Sequence, residues 1–348
     1  MSILGPGGMG LFWDCFLACA LASYPIYRLL LLTKSRQTID PHLSESHQIK
    51  HGTPTMGGLI FLVAMTVAFV EQLLRGGVPY KDFGVNVLLS KSFAVLALFF
   101  GFALIGFVDD YVVPRMTAKR GLGWMQKLIA QIAVASLASA SMFRGEPLVI
   151  VGLSVFMILF WSNAFNFADG LDALAGSLIL GISLGFMLLS TFSSEAAIAA
   201  HFATALSAGA LVFLAFNAPP AKMFMGDVGS LPIGAFFGMM TVLFLRPQPP
   251  FSGFSTLDPE MFRTYIPGPL YLPLFILSLA MIAELVPVPM QVAYYKLTKG
   301  KRLFPMTPIH HAFEKKGWPE SRIVWIFALF QLLCSLAAYT LALGMKPS

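Results

Sequence analysis

Carboxylate and amide side chains recur in short apolar segments of this sequence, in a pattern suited to a metal ion or a phosphorylated ligand. Asp109 and Asp110 are adjacent, and Asp227 stands in the glycine-containing segment FMGDVGS. A further group occupies every third position of one segment: Asn163, Asn166, Asp169 and Asp172. Mg²⁺ prefers one or two carboxylates together with water and phosphate oxygens. Since these segments contain no cysteine ligand, they favour magnesium over zinc.

The adjacent pair and the three-residue repeat give different geometric expectations. Successive residues of an α-helix point about 100° apart, so we expect one of Asp109 and Asp110 to face a ligand and the other to hold a lysine or a metal. Residues three apart share a helix face, so the repeat predicts a polar stripe that lines a cavity. The alternative is a capped loop between two spans, because Asn, Asp and Gly are also turn residues.

Two further segments carry groups that could meet anions. His310 and His311 are adjacent in a loop rich in Lys and Arg, which predicts a pocket for a polyanion. Lys50 precedes the segment HGTPTMGG, whose glycines and proline predict a tight turn at the start of a helix. For the histidine loop the alternative is that its basic residues only mark a cytoplasmic loop. For HGTPTMGG the alternative is that the segment only starts a helix.

Composition fixes the setting in which these groups must work. The chain has 348 residues, 57% hydrophobic and only 11% charged, with a mean hydropathy of +0.76. A soluble domain carries about 25% charged residues, so a soluble enzyme, a disordered chain and a fibrous repeat are excluded. We predict an all-α polytopic membrane protein, with residues 1–348 as a single integral membrane domain. Its three cysteines are too few for a disulfide framework.

About ten transmembrane helices are predicted, because a span needs about 20 mainly apolar residues. The predicted spans are 11–32, 56–74, 92–108, 128–143, 148–161, 175–193, 202–216, 231–245, 270–291 and 323–343. Glu284 lies within the ninth and precedes Pro287 and Pro289, so we expect this span to be kinked or split.

Charge distribution orients the predicted spans. Most of the 23 Lys and Arg residues fall in alternate loops, which the positive-inside rule places in the cytoplasm. Both termini are then periplasmic. The acidic, amide and histidine segments all fall in the same cytoplasmic loops, which predicts an active site on that face. The net charge of +6 is therefore attributed to anionic lipid and substrate, not to nucleic acid.

Five motifs in this order resemble the MraY family of phospho-N-acetylmuramoyl-pentapeptide transferases. They are GTPTMGG (Gly52–Gly58), GFVDDY (Gly106–Tyr111), NAFNFADGLD (Asn163–Asp172), FMGDVGS (Phe224–Ser230) and PIHHAFEKKGW (Pro308–Trp318). The resemblance implies a homodimer in the bacterial cytoplasmic (inner) membrane. The implied reaction transfers phospho-MurNAc-pentapeptide from UDP-MurNAc-pentapeptide to undecaprenyl phosphate, gives lipid I and UMP, and requires Mg²⁺.

The same resemblance implies roles for individual positions. Asp227 resembles the magnesium ligand, and Asp109 resembles the carboxylate proposed to activate the lipid phosphate, with Asp110 beside it. Phe224 resembles the aromatic residue that stacks on uracil, and His310 a catalytic group near phosphate and sugar. The implied substrate-binding positions are Lys50, Thr55, Lys127, Asn163, Asn166, Asp169, Gly170, Leu171, Asp172, Asn217, Phe224 and His311.

The chain departs from the family pattern at two positions. Ala312 stands where a third consecutive histidine is usual, and Val113 where a lysine is common. We expect Arg115, Lys119 or Arg120 to replace that lysine near phosphate.

Two rival functions differ in class. Transfer of N-acetylglucosamine-1-phosphate is the alternative among enzymes, although GTPTMGG and PIHHAFEKKGW favour the muramoyl substrate. A solute transporter is the alternative outside enzymes, but transporters show internal repeats and polar residues at mid-membrane. No repeat is visible in this sequence.

Overall fold

The computed structural model describes residues 6–33, 52–74, 85–117, 121–192, 196–245 and 270–345. In the first and third of these ranges, side chains are described from Gly8 and from Ser90 onward. Lys50, Lys119 and Arg120 lie outside the described residues, as do most of the predicted loops 33–55 and 246–269.

The described residues form helices joined by short connections, as the apolar sequence predicts. The longer helices are α1 (Pro6–Leu32), α2 (Leu59–Leu74), α3 (Val85–Phe107), α5 (Trp124–Met142), α6 (Leu148–Ala168), α7 (Leu174–Leu189), α8 (Ala197–Asn217), α9 (Asp227–Leu245) and α14 (Glu320–Gly344). The shorter ones are α4 (Val113–Met116), α10 (Tyr271–Leu277), α11 (Leu279–Leu285), α12 (Pro287–Leu297) and α13 (Ile309–Lys315). A π-helical turn, Val108–Val112, follows α3, and a 3₁₀ turn, Ser190–Phe192, follows α7.

Seven helices of the described chain are long and apolar enough to cross a membrane, or eight if the bent pair formed by α10 and Leu279–Leu297 is one span. The chain is therefore a multi-pass membrane protein. Each of the ten predicted spans overlaps a helix, but α2, with 16 residues, is short, and α5 is less apolar. The total of ten spans and the periplasmic placement of both termini stay predictions.

Helix α9 forms the centre of the bundle and is buried along almost its whole length. Glycines on one of its faces allow the close approach of α6. A Cβ at Gly234 would lie 2.3 Å from the carbonyl oxygen of Trp161, and one at Gly238 would lie 2.4 Å from that of Met157. Such small residues four apart are the usual device for packing helices in a membrane, where hydrophobicity alone does not drive association.

Several helix boundaries differ from the sequence prediction, and the end of α6 changes the setting of the polar groups. Helix α3 begins at Val85 instead of residue 92. Helix α6 extends to Ala168, so Asn163 and Asn166 lie on a helix while Asp169 and Asp172 lie in the turn after it. The predicted continuous helical stripe is therefore wrong at its second half, where glycine and aspartate favour a turn over further helix.

The ninth predicted span is bent, as expected, but the bend does not lie at its prolines. The axes of α10 and Leu279–Leu297 differ by 57°. The break lies at Ser278, before Glu284, and the Ser278 hydroxyl donates to the carbonyl of Leu274 at 2.7 Å. Pro287 opens α12, where its missing N–H is tolerated at the first helical position. The bend places Glu284 deep in the protein, fully buried.

Candidate active site

Three aspartates converge at one end of the bundle. Oxygen atoms of Asp109, Asp110 and Asp227 all lie within 4.8 Å of one another. Asp109 and Asp110 are in the π-helical turn after α3, and Asp227 is the first residue of α9. A Cβ at Gly106 would lie 2.3 Å from the carbonyl carbon of Asp227, so glycine there permits the approach of the two segments. Widened turns of this kind occur frequently at functional sites.

Asp110 binds the amino-terminal end of α9. Its Oδ2 accepts hydrogen bonds from the backbone N–H groups of Asp227 at 2.8 Å and Val228 at 3.4 Å. A carboxylate is stabilised at this end of a helix by the free N–H groups and the helix dipole. Asp110 thus fixes the relative position of the two acidic segments.

Asp109 is held by the segment that leads into α5. Its Oδ1 accepts a hydrogen bond from the N–H of Leu122 at 2.5 Å, and its Oδ2 lies 3.1 Å from Nζ of Lys127. The same ammonium group also pairs with Oδ2 of Asp227. The expectation that one aspartate of the pair would hold a lysine is met by Asp109.

The amide of Asn166 completes the surroundings of Asp227. Its Nδ2 donates to Oδ1 of Asp227 at 2.6 Å and lies 3.0 Å from Oγ of Ser230. Asp227 is therefore contacted by a lysine from α5 and an amide from α6. The carboxyl ends of α3 and α6 and the amino ends of α5 and α9 all contribute to one cluster, which we call the acidic site.

The turn after α6 lies beside the acidic site. Burial raises the pKa of the Asp169 carboxyl well above its usual value, and the nearby Asp227 carboxylate adds to this rise, although the Gly226 N–H opposes it. Asp172 is buried, and its Oδ2 accepts from the N–H of Ala221 at 2.9 Å. Leu171 is also buried.

Two side chains at helix ends, Glu320 at the start of α14 and Asn217 at the end of α8, stabilise this turn. The N–H of Asp172 donates to Oε1 of Glu320 at 2.6 Å, and the N–H of Ala173 donates to Oδ1 of Asn217 at 2.9 Å. The Asn217 amide in turn donates to the carbonyl of Met223 at 2.9 Å. Asn217 therefore ties the turn to the segment that carries Phe224.

The segment before α2 runs beside Met223–Gly226. The N–H of Phe224 donates to the carbonyl of Pro54 at 2.8 Å, and the N–H of Gly57 donates to the carbonyl of Phe224 at 2.7 Å. This pairing leaves the Phe224 ring half-buried. Thr55 is buried, and a Cβ at Gly226, whose φ is +69°, would lie 2.6 Å from both the Thr55 hydroxyl and Oδ2 of Asp110.

The two histidines begin α13 and have separate carboxylate partners. Nδ1 of His310 lies 2.8 Å from Oε2 of Glu284, and both side chains are fully buried. Nδ1 of His311 lies 2.5 Å from Oε2 of Glu314. A Cβ at Gly170 would lie 2.4 Å from Nε2 of His310, so Gly170 leaves room for this ring beside the turn.

Two predicted groups point elsewhere. Nδ2 of Asn163 donates to the carbonyl of Leu159 at 2.8 Å and to Oε1 of Gln131 at 3.2 Å, which places the amide between α5 and α6. The guanidinium of Arg115 lies 4.1 Å from the centre of the Tyr111 ring and donates to the carbonyl of Thr33. With these contacts, Arg115 does not take the place of the family lysine that is missing at position 113.

Sequence reasoning left some participating residues without a role. Glu320, which contacts the turn after α6, carried no recognisable signal, and Glu314 appeared only as a member of the motif PIHHAFEKKGW. Glu284 carried one, because an ionisable residue inside an apolar span is functional by default. Its partner could not be identified, since 26 residues separate it from His310.

The arrangement has the properties of a phosphoryl-transfer site. Clustered carboxylates at hydrogen-bonded positions can hold a hard cation, and a partly buried lysine beside them can meet phosphate oxygens. Their position at the ends of apolar helices lets a water-soluble substrate meet a lipid. The fold and the acidic site together define an integral membrane transferase.

Comparison with known proteins identifies the family. The profile of "Glycosyl transferase family 4" matches residues 92–245, and "Phospho-N-acetylmuramoyl-pentapeptide-transferase signature 1" matches residues 50–62. The phospho-N-acetylmuramoyl-pentapeptide-transferase of Heliobacterium modesticaldum is 34% identical over 90% of this chain and 91% of its own length. Those of Moorella thermoacetica and Staphylococcus aureus are 33% and 34% identical, over 90% and 87% of this chain and 92% and 89% of their own lengths. The chain belongs to the phospho-N-acetylmuramoyl-pentapeptide-transferase family.

Proposed function

We propose that this protein transfers phospho-MurNAc-pentapeptide from UDP-MurNAc-pentapeptide to undecaprenyl phosphate at the acidic site, in a Mg²⁺-dependent reaction that gives lipid I and UMP. The observation that carries the site assignment is the convergence of Asp109, Asp110 and Asp227 with Lys127 and Asn166. Family membership supports the substrates. We also propose that the protein works as a homodimer in the bacterial inner membrane with this site on the cytoplasmic face.

The donor set of the acidic site fits Mg²⁺. Three carboxylates offer oxygen atoms within 4.8 Å of one another, and the Lys127 ammonium already pairs with two of these carboxylates. The site therefore attracts positive charge and supplies only hard donors. Asp227, with Asp109 and Asp110 beside it, would hold the ion, which when bound neutralises charge on the diphosphate of the donor substrate.

The protein's own groups account for positioning and proton transfer. Phosphoryl transfer needs alignment and charge neutralisation more than covalent chemistry. We propose that Asp109 takes the proton from the lipid phosphate, because the Leu122 N–H and Lys127 fix its carboxylate in place. An oxygen of that phosphate then forms a bond to the sugar-linked phosphorus as the bond to UMP breaks. Lys127 and His310 are proposed to stabilise phosphate charge.

The rest of the proposed donor pocket is built around the turn after α6. Phe224 is proposed to stack on uracil, with Lys50, Gly170, Leu171 and Asp172 as its neighbours. Asn166 and Asp169 are proposed to contact substrate, and the same role is proposed for Thr55, Asn217 and His311. Asn163 is not included, because its amide is directed toward Gln131 between α5 and α6. For Phe224 the support is its half-buried ring beside a backbone pairing that fixes its direction.

The test is a transfer assay with purified protein, undecaprenyl phosphate and either UDP-MurNAc-pentapeptide or UDP-N-acetylglucosamine, with and without Mg²⁺. We expect UMP release only with the muramoyl donor and Mg²⁺. Asp227→Ala should lower the rate at least about 100-fold, since it removes an electrostatic group from the reacting centre. Full Mg²⁺-dependent activity of Asp227→Ala would refute the metal assignment, and preference for the other donor would refute the substrate assignment.

The order of bond formation has its own test. A two-step reaction would first place the phospho-sugar on a carboxylate of the protein and release UMP without a lipid acceptor. Direct attack gives neither product under these conditions. We therefore expect no covalent adduct on Asp109 by mass spectrometry when UDP-MurNAc-pentapeptide is added alone. A trapped phospho-sugar adduct on Asp109 would overturn direct attack.

A further inference from the structure

A buried carboxyl group lies outside the acidic site, within the bent ninth span. Glu284 is on α11 and is fully buried, as is His310, whose Nδ1 lies 2.8 Å from Oε2 of Glu284. An ionisable side chain inside a membrane span is costly to maintain and marks a functional group by default. The Glu284–His310 pair joins the ninth span to α13 and thus to the loop that carries both histidines.

Each member of the pair has one atom without a hydrogen-bond partner among the described residues. These atoms are Oε1 of Glu284 and Nε2 of His310. Buried polar atoms are nearly always paired, so an orphaned one calls for an explanation. Nε2 of His310 points at Gly170, where a Cβ would lie only 2.4 Å away. The free nitrogen is thus directed toward the turn after α6, beside the acidic site.

Charge balance and hydrogen bonding together decide which hydrogen atoms this pair carries. Nε2 carries a hydrogen atom in two neutral arrangements: an ionised Glu284 that accepts from a doubly protonated His310 ring, and a protonated Glu284 that donates to Nδ1 of an uncharged ring. An ionised carboxylate beside an uncharged ring protonated at Nδ1 leaves an unbalanced charge in a dry interior, which is strongly unfavourable. A carboxyl group protonated at Oε1 that accepts from Nδ1 is neutral, but its O–H, the strongest donor of the pair, then has no partner among the described residues.

We propose that Glu284 is a positioning residue that keeps a hydrogen atom on Nε2 of His310, so that the ring donates a hydrogen bond to an oxygen atom of the nucleotide-sugar donor. Glycine at 170 lets the ring lie against the turn after α6, beside which the donor substrate is proposed to bind. The inference rests on the proposed function for the identity of the substrate. The protonation of the ring does not depend on it.

The first experiment measures the protonation directly. The full-length protein, labelled with ¹⁵N-histidine and reconstituted in lipid, is studied by NMR at neutral pH without substrate, and His310→Asn identifies the His310 signals. We expect a protonated Nε2 in the wild type. In Glu284→Gln the amide can either donate to Nδ1 of His310 or accept from it, and neither orientation carries a charge. The accepting orientation keeps the ring hydrogen on Nδ1, so a population with unprotonated Nε2 should appear. An unprotonated Nε2 in the wild-type protein would overturn the proposal.

The second experiment is a double-mutant cycle on the transfer reaction. If Glu284 acts through His310, Glu284→Gln should lower kcat/KM by about 10- to 100-fold, the usual effect of removing the carboxylate that orients a functional histidine. In a His310→Asn background the same substitution should change kcat/KM by less than about 3-fold. An equal loss in both backgrounds would show that Glu284 is merely structural.

A matched variant controls for disturbance of the bent span. Ser278→Ala removes a buried hydroxyl at the bend, whose hydrogen bond goes to the carbonyl of Leu274 on α10. We expect it to leave both kcat/KM and the His310 signals close to wild type.

If the transfer assay fails with the muramoyl donor while Nε2 is protonated, the proposed function is lost and the state of the pair is still established. If Glu284→Gln does not fold, an unprotonated Nε2 in the wild-type spectrum still overturns the proposal.

Discussion

At the scale of single residues, the acidic site depends on which charged groups face each other. Lys127 bridges Asp109 and Asp227, two carboxylates that would otherwise repel each other. The desolvation of such groups favours pairing, because an unpaired buried charge costs much more than an exposed one. The lysine therefore has two effects: it keeps the cluster compact, and it provides positive charge next to the place where phosphate is proposed to bind.

Loss of Lys127 is therefore expected to reduce catalysis far more than folding. Lys127→Ala should lower kcat of the transfer reaction by about 100-fold, in the range found when one group that stabilises transition-state charge is removed. Lys127→Arg should not restore it, because the planar guanidinium does not reproduce the compact ammonium contact with two carboxylates.

The control for this prediction is Arg144→Ala, which removes an exposed basic residue just beyond the opposite end of α5. It should retain wild-type kcat. An unchanged kcat in Lys127→Ala would show that the ammonium group does not take part in the reaction.

Asp169 predicts a dependence of stability on pH. Burial raises the pKa of its carboxyl, so the folded protein keeps a proton that the unfolded chain releases above about pH 4. The native state then binds more protons than the unfolded state, and stability falls as pH rises. Asp169→Asn removes this contribution. Thermal unfolding without Mg²⁺ is the measurement. We expect the Tm of Asp169→Asn to rise relative to the wild-type Tm as the pH increases from 5 to 8. Parallel Tm profiles would contradict the assignment.

At the scale of helices, close backbone packing is what brings the polar ends together. Helix α9 contacts α6 through Gly234 and Gly238, and its first residue is Asp227. Any shift of α9 along α6 therefore moves Asp227 relative to Asn166. The broken ninth span has a comparable effect, because its bend lets Glu284 reach His310 at 2.8 Å.

Filling the contact between α9 and α6 should destabilise the bundle. In Gly238→Ala the new methyl group would lie 2.4 Å from the carbonyl oxygen of Met157, so backbone must move. We expect a loss of about 1–3 kcal/mol in the free energy of unfolding, typical of overpacking, measured by denaturation in mixed micelles.

Gly152→Ala is the matched control, because a Cβ at this position of α6 has no atom within 4 Å among the described residues. It should stabilise slightly, since alanine favours a helix over glycine by about 0.5–1 kcal/mol. Equal stability of Gly238→Ala and wild type would show that the helices are not in tight contact.

At the scale of the whole molecule, the multi-pass fold forms one continuous hydrophobic body. The hydrophobic core runs from Leu11 on α1 to Ala342 on α14 without division among the described residues, as a single membrane domain requires. The extent of that domain over 1–348 and the sidedness of the loops stay predictions.

Cysteine labelling tests the sidedness. In a chain whose three native cysteines are replaced, Lys316→Cys should react with a membrane-impermeant maleimide only after the membrane is opened. Ser348→Cys should react in intact spheroplasts, because the positive-inside rule places the carboxyl terminus outside. The opposite pattern would invert the topology and place the acidic site in the periplasm.

The sequence by itself determined the class, the order of the helices and the family. Long apolar segments can satisfy their backbone in a bilayer only as helices, and five short motifs in a fixed order resembled a known transferase family. The polar repeat after residue 163 also marked its segment as a site. These features are local, because composition and short spacing carry them.

Only the tertiary structure decided which groups act together. It ended α6 at Ala168, turned Asn163 toward Gln131, and paired Glu284 with His310. It also set Lys127 between Asp109 and Asp227, which are 118 residues apart in the printed sequence. Such contacts depend on how glycine faces and a bent span let helices approach, and packing of this kind leaves no periodic signal in the sequence.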